Sequence, residues 1–204
     1  HDMLPDVVTP EQFMPRTWPE VNGKRAVWEA CQTFSGSWGY HRDEESWKSP
    51  EQLVGLLADT VSKGGNLLMN VGPDARGRFD ERARDALATY AGWMDDNAAS
   101  IHGATAAELP HSQDELLTRR GVKVYVHIFA WPYRHIHIEG LGGKVKAARL
   151  MTDGSELKIL APQPPNPNDT MQIPVDPDIL TIELPVRRPD TVMPVVELVL
   201  NPGA

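Results

Sequence analysis

The first half of the chain pairs short apolar runs with stretches of helical periodicity. Residues 26–34 form a mostly apolar run bounded by polar and glycine residues, which predicts a buried strand. Further on, Ser49 and Gln52 have the spacing of a capping box, with a proline at the first helical position and Gly64 as the stop signal. The apolar stripe of this predicted helix consists of Leu53, Leu57 and Val61.

A second strand and a second helix follow in the same order. Residues 65–73 are too short and too glycine-bounded for a helix, so they predict a strand buried on both faces. A helix is predicted from about Asp80, with the apolar stripe Ala83, Leu87, Tyr90, Ala91 and Met94. This order is typical of parallel α/β architecture. Because a complete (β/α)8 barrel needs about 250 residues, this half would be the last part of one.

After Gly103 the pattern changes to short alternating segments. Val122, Val124, Val126 and Ile128 alternate with polar or aromatic residues, and Ile136 and Ile138 continue the pattern on a following strand. Further strands are predicted at 147–152, 156–160, 179–184 and 195–200. The proline-rich tract 161–177 predicts an exposed loop. We therefore predict two domains, an α/β part at 1–103 and an antiparallel β-sandwich at 104–204.

The amino-acid composition restricts the kinds of molecule that this chain is expected to bind. With 20 Lys and Arg against 28 Asp and Glu, the formal charge is -8, which disfavours nucleic acid as a partner. No apolar run reaches the ~18 residues of a membrane span. Cys31 is the single cysteine and has no neighbouring base, so we interpret it as a core residue. The proline-rich opening predicts a chain that begins inside a loop of something larger.

Four stretches carry a resemblance to a known family: residues 9–12, 27–31, 37–40 and 57–73. Together they resemble glycoside hydrolase family 29, the α-L-fucosidases, and the similarity continues past Trp93 into the second half. The resemblance implies a C-terminal part of a (β/α)8-type barrel followed by a β-sandwich, in a retaining hydrolase that removes terminal α-L-fucose from fucosylated glycans. It implies neither a metal nor an organic cofactor. It is compatible with a homo-oligomer, and it suggests a periplasmic, secreted or lysosomal-type location.

Two glutamates are candidates for the chemistry that the resemblance implies. Glu11 matches the family position of the general acid/base, which in a retaining enzyme stands ~5–5.5 Å from a carboxylate nucleophile. Its alternative is an exposed loop glutamate without a role. Glu29 is the runner-up, expected near the end of a barrel strand, and it could instead only hydrogen-bond neighbouring backbone or an arginine.

The substrate-binding residues implied by the resemblance cluster around the third stretch. Trp38 matches an aromatic position that lies against the C6 methyl group of fucose, with packing under the barrel rim as its alternative. Tyr40 and His41 are neighbouring candidates for the pocket wall. Asn70 ends the last predicted barrel strand, where its amide could orient the acid/base or the sugar, or could tie down a loop.

The catalytic nucleophile is expected outside these 204 residues. In the family an aspartate on an upstream barrel strand supplies it, and no aspartate of this chain matches that position. A different class of function, a noncatalytic carbohydrate-binding or scaffolding module, is the alternative hypothesis. A hydrolase of the same architecture that acts on another sugar, such as a related α-galactoside, is a third.

Two further motifs are rejected as sites. His127, His135 and His137 could suggest zinc if a hairpin brought them together, but a half-buried antiparallel sheet needs polar residues on its outer face anyway. Residues 64–66 do not form a phosphate loop, because they precede a strand and no helix N-terminus follows.

Overall fold

The computed structural model describes residues 6–162, 168 and 176–203. The chain divides into two compact units, His1–Ala106 and Ala107–Ala204. The sequence places the boundary between residues 103 and 104, and the assignment of these units as separate domains stays a prediction. Most of the proline-rich tract 161–177, predicted as an exposed loop, lies outside the described residues. No helix in the described ranges is long and apolar enough to cross a membrane.

The first unit is built on a parallel sheet with two helices. Its elements are β1 (Val7–Val8), β2 (Glu20–Val21), β3 (Lys24–Arg25), β4 (Val27–Thr33), helix α1 (Pro50–Ser62), β5 (Asn66–Asn70), helix α2 (Glu81–Asn97), a 3-10 turn (Ala98–Ser100) and β6 (Thr105–Ala106). Strand β4 lies between β1 and β5 and pairs in parallel with both, while β2 and β3 form an antiparallel ribbon. The predicted parallel α/β order is confirmed.

Strand β4 is fixed by the burial of Trp28. The indole is fully buried, and its Nε1 donates to the carbonyl of Lys63, 2.9 Å away, in the turn between α1 and β5. A Cβ on Gly65 would lie 2.3 Å from the indole ring, so only glycine lets this turn close over the tryptophan. Ala30 and Gln32 continue the same buried face. This packing joins the sheet to the helical layer.

The start of α1 has the predicted cap. The amide of Gln52 donates to Ser49 Oγ at 3.3 Å, and the amide of Ser49 donates to Gln52 Oε1 at 2.8 Å. Both bonds of the capping box are therefore present and satisfy backbone donors that the first helical turn leaves open.

Helix α2 begins after Asp80 as predicted, but its buried stripe differs from the prediction. Leu87 and Ala91 are exposed, and the buried positions are Ala83, Ala86, Trp93 and Asn97. Trp93 is the largest side chain that the helix buries, and its position rotates the buried face away from Leu87 and Ala91.

Strand β5 also differs from the prediction. We predicted burial on both faces, yet Leu68 is 50% exposed. Leu68 pairs with Cys31 and so shares its face of the sheet. Within the described residues β5 is an end strand of the three-stranded sheet, and this face is only partly covered.

The second unit is a curled antiparallel sheet around one apolar core. Its strands are β7 (Glu115–Arg120), β8 (Lys123–Ile128), β9 (His135–Glu139), β10 (Val145–Leu150), β11 (Glu156–Leu160), β12 (Ile179–Glu183) and β13 (Val195–Leu200). They lie in the order β7-β8-β13-β10-β11-β12-β9. The core takes residues from all seven strands, so the sheet folds over on itself. The four strands predicted after residue 146 are confirmed as β10 to β13, and β11 and β13 have their predicted bounds. Strand β7 was not predicted.

The environment of His127 corrects our interpretation of β8. Val124, Val126 and Ile128 face the core as predicted, but Tyr125 and His127 are also fully buried, and Val122 is exposed before the strand begins. Strand β8 pairs with β7 and β13, whereas His135 and His137 lie on β9, which pairs with β12. The three histidines are thus not joined by a hairpin. The described residues contain no group of three or more His, Cys, Asp or Glu suited to a metal ion.

A row of polar residues crosses five strands on the face opposite the core. The register places Thr118, Tyr125, Glu197, Arg149 and Glu156 directly opposite one another in succession. The carboxylate of Glu197, whose side chain is 2% exposed, accepts from Lys123 Nζ and Arg149 Nη2, each at 2.8 Å. Burial and the adjacent charge of Glu197 raise the pKa of Tyr125. Glu197 therefore links β8, β13 and β10 by charge-assisted bonds.

Replacing Glu197 with Ala should destabilise the second unit by about 1–3 kcal/mol, because two cations lose their shared carboxylate. The measurement is the urea midpoint of unfolding. Glu139→Ala, which changes an exposed glutamate on β9, is the matched control and should shift the midpoint little. Equal midpoints for the two variants would refute a stabilising role for Glu197.

Candidate functional site

Glu11 extends the parallel pairing along β4. The amide of Cys31 donates to the carbonyl of Pro10 at 2.9 Å, and the amide of Gln12 donates to the carbonyl of Cys31 at 2.9 Å. These bonds set Glu11 opposite Cys31. Residues paired on adjacent strands point to the same face, so Glu11 lies on the face opposite Trp28. In a closed barrel this is the interior face, since the helices cover the other.

The position of Glu11 along the strand is set by its neighbour. Gln12 adopts a left-handed backbone with φ 53° and donates from Nε2 to Thr33 Oγ1 at 2.8 Å. Thr33 is the last residue of β4. Glu11 therefore lies near the carboxyl end of the strand and is exposed there. Barrel enzymes place their catalytic groups at this end.

Glu29 is not at the end of the strand, so that expectation is wrong. It is the third residue of β4, opposite Asn66 at the start of β5. At ~3.3 Å per residue it lies roughly 13 Å before Thr33. Glu29 and Cys31 alternate with buried Trp28 and Ala30, so they lie on one face of β4, and Glu11 shares that face through its pairing with Cys31.

Trp38 and Tyr40 lie on the loop that follows β4, and they are only half covered. Their exposed fractions are 42% and 44%, and His41 is exposed as well. The side-chain amide of Asn70 donates to the carbonyl of Trp38 at 2.5 Å. Asn70 thus ties down this loop, which is one of the two roles expected for it.

The structure does not bring the predicted site residues together around one enclosed pocket. A cavity lined by Tyr40, His41 and Asn70 among others measures only about 10 Å³, room for about one water molecule. Glu11 does not line it. A larger open groove of about 780 Å³ lies beside Trp18 and Arg25 and has none of the predicted site residues in its lining.

Glu44 organises the loop and was not predicted from the sequence. Its carboxylate accepts hydrogen bonds from the hydroxyl of Ser37, from the amide of Ser46 at 2.9 Å and from the hydroxyl of Ser46 at 2.6 Å. The bond from Ser37, followed by those from Ser46, lowers the pKa of Glu44 to about 2. Serines at both ends of a short loop around a glutamate could have signalled this arrangement.

A residue at the start of α2 also forms a hydrogen bond to this loop. Arg82 donates to the carbonyl of Glu44 at 2.7 Å, and its guanidinium lies 4.6 Å from the ring centre of Trp47. Asp80, the N-cap of α2, accepts from Arg82 Nε at 2.9 Å and orients it. The start of the helix at about Asp80 was predicted, but its link to the loop depends on tertiary contacts that a sequence pattern does not reveal.

The chain is similar to known proteins of one family. The family model described as Alpha-L-fucosidase matches residues 4–99. Alpha-L-fucosidase isoenzyme 1 from Paenibacillus thiaminolyticus is 38% identical, with a TM-score of 0.84 over 96% of this chain and 45% of that chain. Thermotoga maritima alpha-fucosidase, in complex with a mechanism-based inhibitor, is 27% identical, with a TM-score of 0.73 over 95% of this chain and 42% of that one. The tissue alpha-L-fucosidase of Bos taurus is 29% identical over 126 residues, 60% of this chain and 26% of the relative.

The fold is the C-terminal portion of a (β/α)8-type barrel followed by an antiparallel β-sandwich, and it is similar to that of the matched fucosidase structures. The resemblance to glycoside hydrolase family 29, the α-L-fucosidases, is confirmed. The chain spans 45% of the P. thiaminolyticus chain and about a quarter of the bovine relative.

Gly72 should be intolerant of a side chain. A Cβ there would lie 2.4 Å from the backbone of Gly39 and Tyr40, so Gly72→Ala must displace the Trp38 loop. We expect a loss of about 1–3 kcal/mol and faster tryptic cleavage after Arg42. The control is Gly92→Ala, an exposed α2 position with open space around its added Cβ. Cleavage at the same rate in both variants would contradict the prediction.

Proposed function

We propose that this chain is the C-terminal part of a retaining exo-α-L-fucosidase in which Glu11 is the general acid/base. The observation that carries the proposal is the place of Glu11, on the face of the parallel sheet opposite Trp28 and near the carboxyl end of β4. Family membership of the relatives supports the fucosidase activity of the parent protein. The inhibitor complex of the T. maritima enzyme is compatible with covalent catalysis in that relative.

The proposed reaction has two steps that share one carboxyl group. Glu11 first donates its proton to the glycosidic oxygen while an aspartate attacks the anomeric carbon, and the glycosidic bond breaks. Glu11, now a carboxylate, then takes a proton from water as the water displaces the aspartate and releases fucose. Its exposure gives the water a path.

The aspartate nucleophile is proposed to come from a part of the parent protein outside these 204 residues. Asp95 follows Trp93 by two residues, but it lies on helix α2 and not on a strand, and it is exposed to solvent. The 204-residue chain by itself is therefore expected to lack hydrolytic activity.

The groups near the strand ends support the proposed fucosyl substrate. Trp38 offers a half-exposed indole, which suits the apolar C6 methyl group of fucose. Tyr40 and His41 add hydrogen-bonding groups on the same exposed loop. In this proposal the fucosyl residue of a fucosylated glycan binds against this loop. Asn70 restrains the loop through its hydrogen bond to the Trp38 carbonyl. Glu29 is then a supporting residue deeper on the same face.

Glu11→Ala in the complete parent protein should lower kcat/KM on aryl α-L-fucosides with poor leaving groups about 100- to 1,000-fold, because their departure needs a proton. The measurement is steady-state hydrolysis with and without sodium azide. On an activated aryl α-L-fucoside, which forms the covalent intermediate with little acid assistance, azide should restore turnover, since the anion attacks the intermediate without base assistance. This attack inverts the β-linked intermediate, so the product is an α-L-fucosyl azide with the configuration of the substrate.

Glu29→Gln is the matched control on the same face of β4 and should not show azide rescue. Rescue of the Glu29 variant, with normal activity in Glu11→Ala, would move the acid/base role to Glu29. Absence of fucosidase activity in the wild-type parent protein would refute the proposed substrate.

A second candidate function is glycan binding by the β-sandwich unit without catalysis. It is favoured by the exposed ring of Tyr133, which is 78% accessible, beside the ion pair of Arg134 and Glu183 at 3.1 Å. Trp131 Nε1 donates to the Pro185 carbonyl at 3.1 Å and anchors the segment. An exposed aromatic ring flanked by polar groups is suited to stacking on a sugar.

If this second function holds, Tyr133→Ala should weaken binding of a neutral fucosylated oligosaccharide to the 204-residue chain at least ~10-fold. Isothermal titration calorimetry would measure the Kd. Tyr133→Phe keeps the ring and should bind like wild type. No measurable binding by the wild-type chain would eliminate the candidate.

A further inference from the structure

The loop that carries Trp38 and Tyr40 is held mainly by polar contacts. Trp38 and Tyr40 are each about two-fifths exposed, so burial alone does not fix their placement. Exposed loops of this kind sample several conformations unless specific bonds restrain them. The hydrogen bonds of this loop therefore decide where the two rings stand.

Three sets of bonds restrain the loop, and Glu44 takes part in two of them. Its carboxylate joins Ser37, just before Trp38, to Ser46, after the loop, and Ser46 Oγ in turn accepts from the amide of Gly36 at 3.1 Å. This closes residues 36–46 into a ring around one carboxylate. The backbone carbonyl of Glu44 is the acceptor for Arg82 on α2. The third tie is the bond from Asn70 to the Trp38 carbonyl.

We propose that Glu44 is a positioning residue that fixes Trp38 and Tyr40 in the conformation that receives the fucosyl group. This inference rests on the proposed function. Glu44 does not touch the reacting atoms in this account. Its effect is to restrict the loop before the sugar arrives, so that binding does not have to order it.

The ionisation of Glu44 agrees with this role. Its pKa of about 2 lies below the ordinary value of 4.5, so the bonds to the charged carboxylate persist above pH 4.5 and are lost as the pH falls through about 2. The loop restraint is therefore constant over the pH range in which glycosidases are assayed.

The first test compares Glu44→Ala with Glu45→Ala in the complete parent protein. Glu45 is the exposed neighbour and serves as the matched control. For Glu44→Ala we expect KM for an aryl α-L-fucoside to rise about 10-fold with kcat within twofold of wild type, since only positioning is lost. Glu44→Gln, which keeps an acceptor oxygen, should recover part of the affinity. A fall in kcat at unchanged KM, or equal effects of Glu44→Ala and Glu45→Ala, would overturn the inference.

The second test does not depend on catalysis. Amide hydrogen exchange of residues 36–43 should become at least ~10-fold faster in Glu44→Ala, while exchange in β4 stays unchanged in both variants. Unchanged exchange in the loop would overturn the positioning role even if activity falls. If the wild-type protein hydrolyses no fucoside, the proposed function fails, and this exchange experiment still decides whether Glu44 holds the loop.

Discussion

The arrangement of the first unit depends on the burial of Trp28 beneath the turn at Gly65. This contact locks the outer face of β4 against the helical layer, so the alternate residues of the strand must point the other way. The parallel pairing on both sides of β4 then transmits that orientation to Glu11 and to β5. A single tryptophan thereby determines which face of the sheet carries the carboxyl groups.

Beyond the end of β4 the forces that hold the chain change in kind. Along the strand, apolar burial and ladder bonds dominate, whereas the loop after Phe34 depends on hydrogen bonds centred on Glu44 and on the cation of Arg82. Hydrogen bonds in exposed positions are individually weak, so several must act together to fix a loop. With this division, a rigid sheet supports a loop that can be altered without refolding the barrel.

Much of the fold could be predicted from the sequence, because local signals decide it. The capping box at Ser49 and the strands at 156–160 and 195–200 follow from side-chain chemistry and alternation within a few residues. The errors concern burial that depends on tertiary packing. Leu87 and Leu68 are more exposed than predicted, and His127 is fully buried, because the elements packed nearby decide which side chains are covered. The site was predicted through family resemblance, and Glu44 was missed because its partners are recognisable only once the loop closes.

The unique thiol of this chain, Cys31, is paired with Glu11 across two backbone hydrogen bonds and is partly accessible, so it is not the core residue that the sequence suggested. Its side chain therefore lies on the same face of the sheet as the candidate acid/base, Glu11, which is on the adjacent segment. Since no other cysteine occurs in the 204 residues, a spectroscopic label on this sulfur would occupy a single, known location. The fold thus supplies a native reporter beside the carboxyl group of greatest interest, without any engineered attachment point.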